Sequence, residues 1–199
     1  MSIITEKRHE KWILLLFLNI IFIFSFISSP LYNHSIYIGD ACIYQNIAKE
    51  MLNGRVLYRD IFDIKGPFIF FIYMVHFLFP SLNIAAYIIE AILYSSIFYL
   101  HYKTIRLKNN ELVSFAFILG ELIFLDYIYT IVCPDAFALL AFSYMNYWIL
   151  SKQYLNPTKL QLILCGILTG LVFWIKFSLG VPIAIIYFYV IYNIFKNKL

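Results

Sequence analysis

The chain has 199 residues, 63% of them hydrophobic and only 13% charged, with a mean hydropathy of +0.82. Soluble domains hold nearer to about 45–50% apolar residues, so this composition excludes an ordinary water-soluble globule and predicts an all-α membrane protein. A net charge of +4 gives no reason to expect nucleic acid as a partner, and the three cysteines form neither a metal-ligand spacing nor an even disulfide framework.

Taken in chain order, a first apolar run covers 12–30 and follows the basic KRHEK. It is followed by a polar stretch, residues 39–68, which carries eight charged side chains. Further runs of spanning character cover 84–102, 112–130, 135–150, 160–175 and 178–195. A spanning helix needs about 20 apolar residues, so about six transmembrane helices are predicted. The run over 67–80 is short of the roughly 30 Å hydrocarbon core and is expected as an interfacial or re-entrant helix. With that segment not crossing, ten of the fifteen Lys and Arg fall on one side. The positive-inside rule then makes that side cytoplasmic, with both termini inside: a multi-pass protein of a cell membrane, bacterial in type. No repeat or linker divides the chain, so 1–199 is one polytopic domain with a first outer loop over 31–66.

Within that loop, Tyr44, Ile47, Ala48 and Met51 recur at helical spacing, and Gln45, Asn46, Lys49 and Glu50 take the opposite face. This predicts an amphipathic helix over 41–53 lying on the outer leaflet, with Asp40 at the N-cap and Gly54 at C′. The segment RVLYRDIFDIKGP after it is too densely charged for a plain connection. One reading is a solvated loop of mutual ion pairs, each contributing at most about 1 kcal/mol. The other is a site in which Arg and Lys grip phosphate oxygens while a carboxylate moves a proton.

The order of Asp40, Tyr44, Gly54, Tyr58, Asp60, Phe62, Asp63, Lys65, Gly66 and Pro67 resembles the first outer loop of bacterial GT-C glycosyltransferases. These are the enzymes related to protein O-mannosyltransferases and lipid A aminoarabinose transferases. The downstream stretches CPDAFALLAFSYMNYWIL and LCGILTGLVFWIKFSLGVP look like that family's second outer loop with its helix, and its Gly-rich helix ending in Lys. Where many relatives have a second acidic residue after the first aspartate, this chain has Ala41, and where close variants read DHKGP it has Ile64. The match covers the N-terminal half of the longer family members, so a fragment, a split gene product or a minimal relative is expected.

The resemblance implies an inverting transferase that moves a sugar from a polyprenyl-phosphate donor to a glycan, lipid or protein acceptor on the outer face. Asp40 matches the catalytic base, and Asp135 or Asp126 stands near the second acidic position. Arg55, Arg59, Lys65 and Lys176 are the cations for the donor phosphate, with Asp60 and Asp63 completing the charged set. Membrane lipids are the expected surroundings and no cofactor is required, although a divalent cation bridging phosphate and Asp60 or Asp63 is left open. Lys176 also reads as a boundary lysine reaching for the interface. Glu90 and Asp126 are expected near the outer ends of their helices, and Glu121 is expected mid-span, away from the site. Gly166 and Gly170 form a G-x3-G that predicts a helix-packing face. A transporter or lipid-flipping component, or the assembly partner of a split transferase, are the competing classes.

Overall fold

In a computed structural model of the chain, residues 40–79, 82–128 and 134–196 are described. Among them lie seven α-helices: α1 (Asp40–Leu52), α2 (Pro67–His76), α3 (Leu82–Arg106), α4 (Glu111–Ile128), α5 (Pro134–Leu150), α6 (Lys159–Ile175) and α7 (Gly180–Lys196). Single 3-10 turns at Gln153–Leu155 and Phe177–Leu179 lead into the last two helices. The apolar run over 12–30 lies outside the described residues.

Local signals account for most boundaries. Gly54, at φ +91°, ends α1 as its C′ residue. Arg55 N donates to Glu50 O at 3.1 Å and Gly54 N to Met51 O at 3.0 Å, the two bonds of a Schellman motif. Asp40 is the first helical residue of α1, where its negative charge suits the helix dipole. Pro67 opens α2, where its missing N–H costs nothing. Thr158 caps α6 in a capping box: its hydroxyl accepts from Gln161 N, and Gln161 Oε1 accepts from Thr158 N.

Three apolar clusters hold the helices together. Tyr44, Ile47 and Ala48 of α1 pack against Ile69, Phe70 and Tyr73 of α2, with Ile175 from the end of α6 beneath them. The amphipathic pattern of α1 is therefore present, but its apolar face is buried on α2 and not spread on a lipid leaflet. A second cluster joins α3, α4 and α5 through Tyr94, Ile97, Phe98, Ile118 and Ala136. The third joins α5, α6 and α7 through Met145, Trp148, Cys165, Val172 and Ile183.

The expected set of about six transmembrane helices, and the multi-pass location with both termini in the cytoplasm, is overturned. Among the described residues no helix is long and apolar enough to cross a membrane. Helices α5, α6 and α7 have 17 residues each, which at 1.5 Å per residue is about 26 Å, short of the roughly 30 Å core. Helix α4 ends at Ile128 and carries Glu111, Glu121 and Asp126 along its length. Helix α3 has 25 residues, but Asn83, Glu90, His101, Lys103 and Arg106 interrupt its apolar character. Helix α2 ends at His76, four residues before the expected boundary at Pro80.

Candidate functional site

The site lies where the start of α1, the loop before α2, the start of α5 and the end of α6 meet. The loop is held in shape by its own charged side chains. Asp60 accepts from Val56 N at 2.8 Å and forms a bidentate pair with Arg59, Nε and Nη2 each at 2.8 Å. That pairing keeps the Asp60 carboxyl below its usual range and the exposed Arg59 guanidinium above its own. Arg55 pairs with Glu50 at 3.0 Å on the exposed back of α1. Tyr58 adopts a left-handed backbone, φ 67°, which turns the chain so that its hydroxyl donates to Lys65 O. Burial, reinforced by the Asp63 charge, pushes the Tyr58 phenol up. Asp63 accepts from Lys65 N at 2.8 Å, a side-chain turn that aims the chain into Gly66-Pro67.

Gly66 is where the loop is fastened to the bundle. Its N–H donates to Ile175 O at 3.1 Å. A Cβ on this residue would lie 1.8 Å from Trp174 O and 2.4 Å from Trp174 C, so only glycine allows the approach. This contact sets Lys65 and Lys176 on adjoining stretches of backbone, because Lys176 immediately follows Ile175 as the C-cap of α6.

Four charged side chains project from this junction. Lys65 Nζ lies 3.9 Å from Asp40 Oδ2, and Lys176 Nζ lies 2.9 Å from Asp135 Oδ1 in the first turn of α5. Tyr44 sits beneath them with its hydroxyl donating to Asp40 Oδ2 at 3.1 Å. Burial first, and then the charges of Asp40, Asp63 and Asp135, push the Tyr44 phenol well above its ordinary value. One hydroxyl therefore feels three carboxylates contributed by three separate parts of the chain. The Asp40 carboxylate is 71% exposed and open to a substrate, whereas Lys65 is mostly covered.

Five of the eight candidate residues thus come together: Asp40, Asp63, Lys65, Asp135 and Lys176. The other three, Arg55, Arg59 and Asp60, are used in exposed pairs along the loop and do not join them. Among the described residues no group of three or more His, Cys, Asp or Glu has the arrangement to hold a metal ion. Of the two carboxylates considered for a bridging cation, Asp60 is engaged by Arg59 on both oxygens, and Asp63 accepts Lys65 N through Oδ1.

Two further features were not legible as sites in the sequence. His101 Nδ1 lies 2.6 Å from Glu121 Oε1, and its Nε2 lies 2.6 Å from Ser143 Oγ. The Ser143 hydroxyl also lies 2.6 Å from Leu139 O, and the residue is 3% exposed, so no substrate reaches it between the helices. The trio ties α3, α4 and α5 together. Between α6 and α7, Thr169, Phe173, Gly180, Ala184, Tyr187 and Phe188 line an apolar cleft of about 320 Å³. Among the described residues, the G-x3-G face expected at Gly166 and Gly170 makes no close contact, since none of them lies within 4 Å of a Cβ at either.

Comparisons with protein-family profiles, with curated proteins and with solved structures found no match.

Proposed function

We propose that the chain transfers a sugar from a polyprenyl-phosphate-linked donor to an acceptor hydroxyl, as the GT-C-like order of its loop residues implies. The observation that carries the reading is the meeting of Asp40, Lys65, Asp135 and Lys176 at one junction, from four separate places in the sequence. In this reaction the acceptor oxygen attacks the anomeric carbon and the carbon–oxygen bond to the phosphate breaks. Polyprenyl phosphate leaves with the electron pair, and the acceptor proton passes to Asp40. Attack from the face opposite the phosphate inverts the anomeric centre. A positioned general base contributes typically about 10²–10⁴-fold. Ammonium groups held near the departing phosphate offset the charge that develops on it.

The charge count favours this donor over a nucleotide sugar. Three aspartates face two lysines at the junction, a formal balance of −1. A phosphodiester brings one negative charge to this site and a diphosphate brings two, so the diphosphate is opposed more strongly, and either must turn Lys176 out of its ion pair with Asp135. That ion pair is partly exposed and is worth less than about 1 kcal/mol. The apolar cleft between α6 and α7 includes Phe173 and Gly180, which flank Lys176 in the chain, and suits an isoprenoid chain. Lipid molecules against the exposed apolar faces complete the set of partners.

The test is release of polyprenyl phosphate from a lipid-linked sugar by the purified chain. Asp40→Asn is expected to abolish release while leaving the unfolding midpoint unchanged. Lys65→Gln and Lys176→Gln are expected to raise the KM for the donor. Full release by Asp40→Asn would rule out the assignment of the base.

The extent of exposed apolar surface favours one other class, the assembly partner of a split transferase. Co-purification with a second chain, together with no release by this chain alone, would decide for it.

A further inference from the structure

We propose that Tyr44 is the positioning residue of the junction: its hydroxyl holds one oxygen of the Asp40 carboxylate so that the other faces the acceptor. This rests on the reading of Asp40 as general base. Tyr44 and Asp40 are four residues apart on α1 and therefore share a face, with the tyrosine pointing inward and the aspartate outward. The ring is fixed by packing. Tyr44 is 2% exposed and sits edge-on to Phe70 at 5.9 Å and to Tyr73 at 5.6 Å, both fully buried in the floor that α2 supplies. A tyrosine has two side-chain torsions, and with the ring wedged in this way its hydroxyl has a fixed place.

Both contacts to the carboxylate fall on the same atom. Tyr44 Oη lies 3.1 Å from Oδ2, and Lys65 Nζ lies 3.9 Å from that oxygen. Oδ1 has no partner among the described residues and is the oxygen presented to substrate. The phenol keeps its proton well beyond neutrality, since burial and three surrounding carboxylates all oppose its ionisation. It therefore acts as a donor throughout the working range and never competes with Asp40 for the acceptor proton. Without this anchor, an exposed carboxylate on the first turn of a helix would sample several rotamers, and misplacement of a reacting group by about 1 Å costs up to about 100-fold.

Tyr44→Phe removes the hydroxyl and keeps the ring, so the packing on Phe70 and Tyr73 is retained. With the full chain and a polyprenyl-phosphate sugar, kcat is expected to fall roughly 10–100-fold with the donor KM unchanged. Lys65→Gln, which removes a cation at the same carboxylate oxygen, is expected to change the donor KM instead. An unchanged kcat in Tyr44→Phe, with Asp40→Asn inactive, overturns the positioning role and leaves the base in place. Full activity in Asp40→Asn, or no release by the intact chain, overturns both. A parallel rise in KM and fall in the unfolding midpoint of Tyr44→Phe would reduce Tyr44 to a packing residue and also overturns the proposal.

Discussion

At the scale of single residues, charge in this chain is spent in two ways, and exposure alone does not separate them. Arg59 and Asp60 are neighbours in sequence and grip one another through two hydrogen bonds, which shapes the loop. Asp40 and Lys65 are twenty-five positions apart and meet only because α1 packs on α2. Both pairs looked alike in the sequence, since a run of alternating charges does not say which partner each one takes. Of the residues outside the run, Asp135 was legible only through the family resemblance, whereas Lys176 also stood out as a charge between two apolar runs. His101 was missed altogether, because its partners Glu121 and Ser143 stand on two other helices. A buried titratable residue gives a prediction at this scale. His76 is fully buried beneath Tyr73, and burial pulls its pKa down to about 4, from about 6.5 in an unfolded chain. Between those two values the unfolded chain holds the proton and the folded chain does not. Stability from this residue is therefore complete above about pH 6.5 and is lost as pH falls through the window. Relative to His76→Phe, the native chain is expected to lose about 2 kcal/mol between pH 7 and pH 5. Denaturant unfolding at the two pH values measures it, and equal losses in both proteins would refute it.

At the scale of elements, the apolar runs located the helices, although among the described residues no helix is long and apolar enough for the expected membrane crossing. Five apolar runs reappear as helices whose ends differ from expectation by at most four residues, and Gly54 ends α1 as its spacing indicated. What periodicity did not convey is which faces touch. The G-x3-G of α6 suggested close packing, yet both glycines stand open among the described residues, while Gly66 in the loop meets another backbone. Contact of that kind depends on where α6 ends relative to α2, which no local pattern encodes. The two cases give opposite expectations for one substitution. Gly66→Ala drives a methyl group into the Trp174 carbonyl, where backbone must shift, and is expected to cost at least about 3 kcal/mol or to detach α2 from α6. Gly166→Ala places a better helix former in open space and is expected to add about 0.5–1 kcal/mol. Removing the cap by Thr158→Ala should cost about 1 kcal/mol, because it leaves the Gln161 N–H without its acceptor. Unfolding midpoints of the three variants in urea give the order directly.

At the scale of the whole molecule, composition and helix geometry pull in different directions, and the surface is where they meet. A chain with 63% hydrophobic residues cannot bury them all in a bundle of short helices. The excess emerges as stripes at helical spacing. Leu160, Ile163, Ile167 and Trp174 mark an exposed line along α6, and Val181, Ile185, Phe188 and Tyr192 mark another along α7. Soluble monomers rarely carry continuous apolar patches beyond a few hundred Å². Among the described residues, α6 and α7 each bury one apolar stripe against their neighbours and leave a second uncovered, so something beyond these residues must supply the cover. The expected cover is lipid, in keeping with the isoprenoid-phosphate donor proposed above. The full chain is expected to float with phosphatidylcholine vesicles in a density gradient. It should do so equally at low salt and at about 1 M salt, where the screening length falls to about 3 Å, because apolar burial is not screened as charge attraction is. Replacing Ile163, Ile167, Ile185 and Phe188 together by glutamine should leave the chain at the bottom of the gradient, since none of the four lies in a buried cluster. Flotation of that variant at the native level would show that the two stripes are not the lipid-facing surface. Loss of flotation of the native chain in salt would show that charge, not apolar area, holds it there.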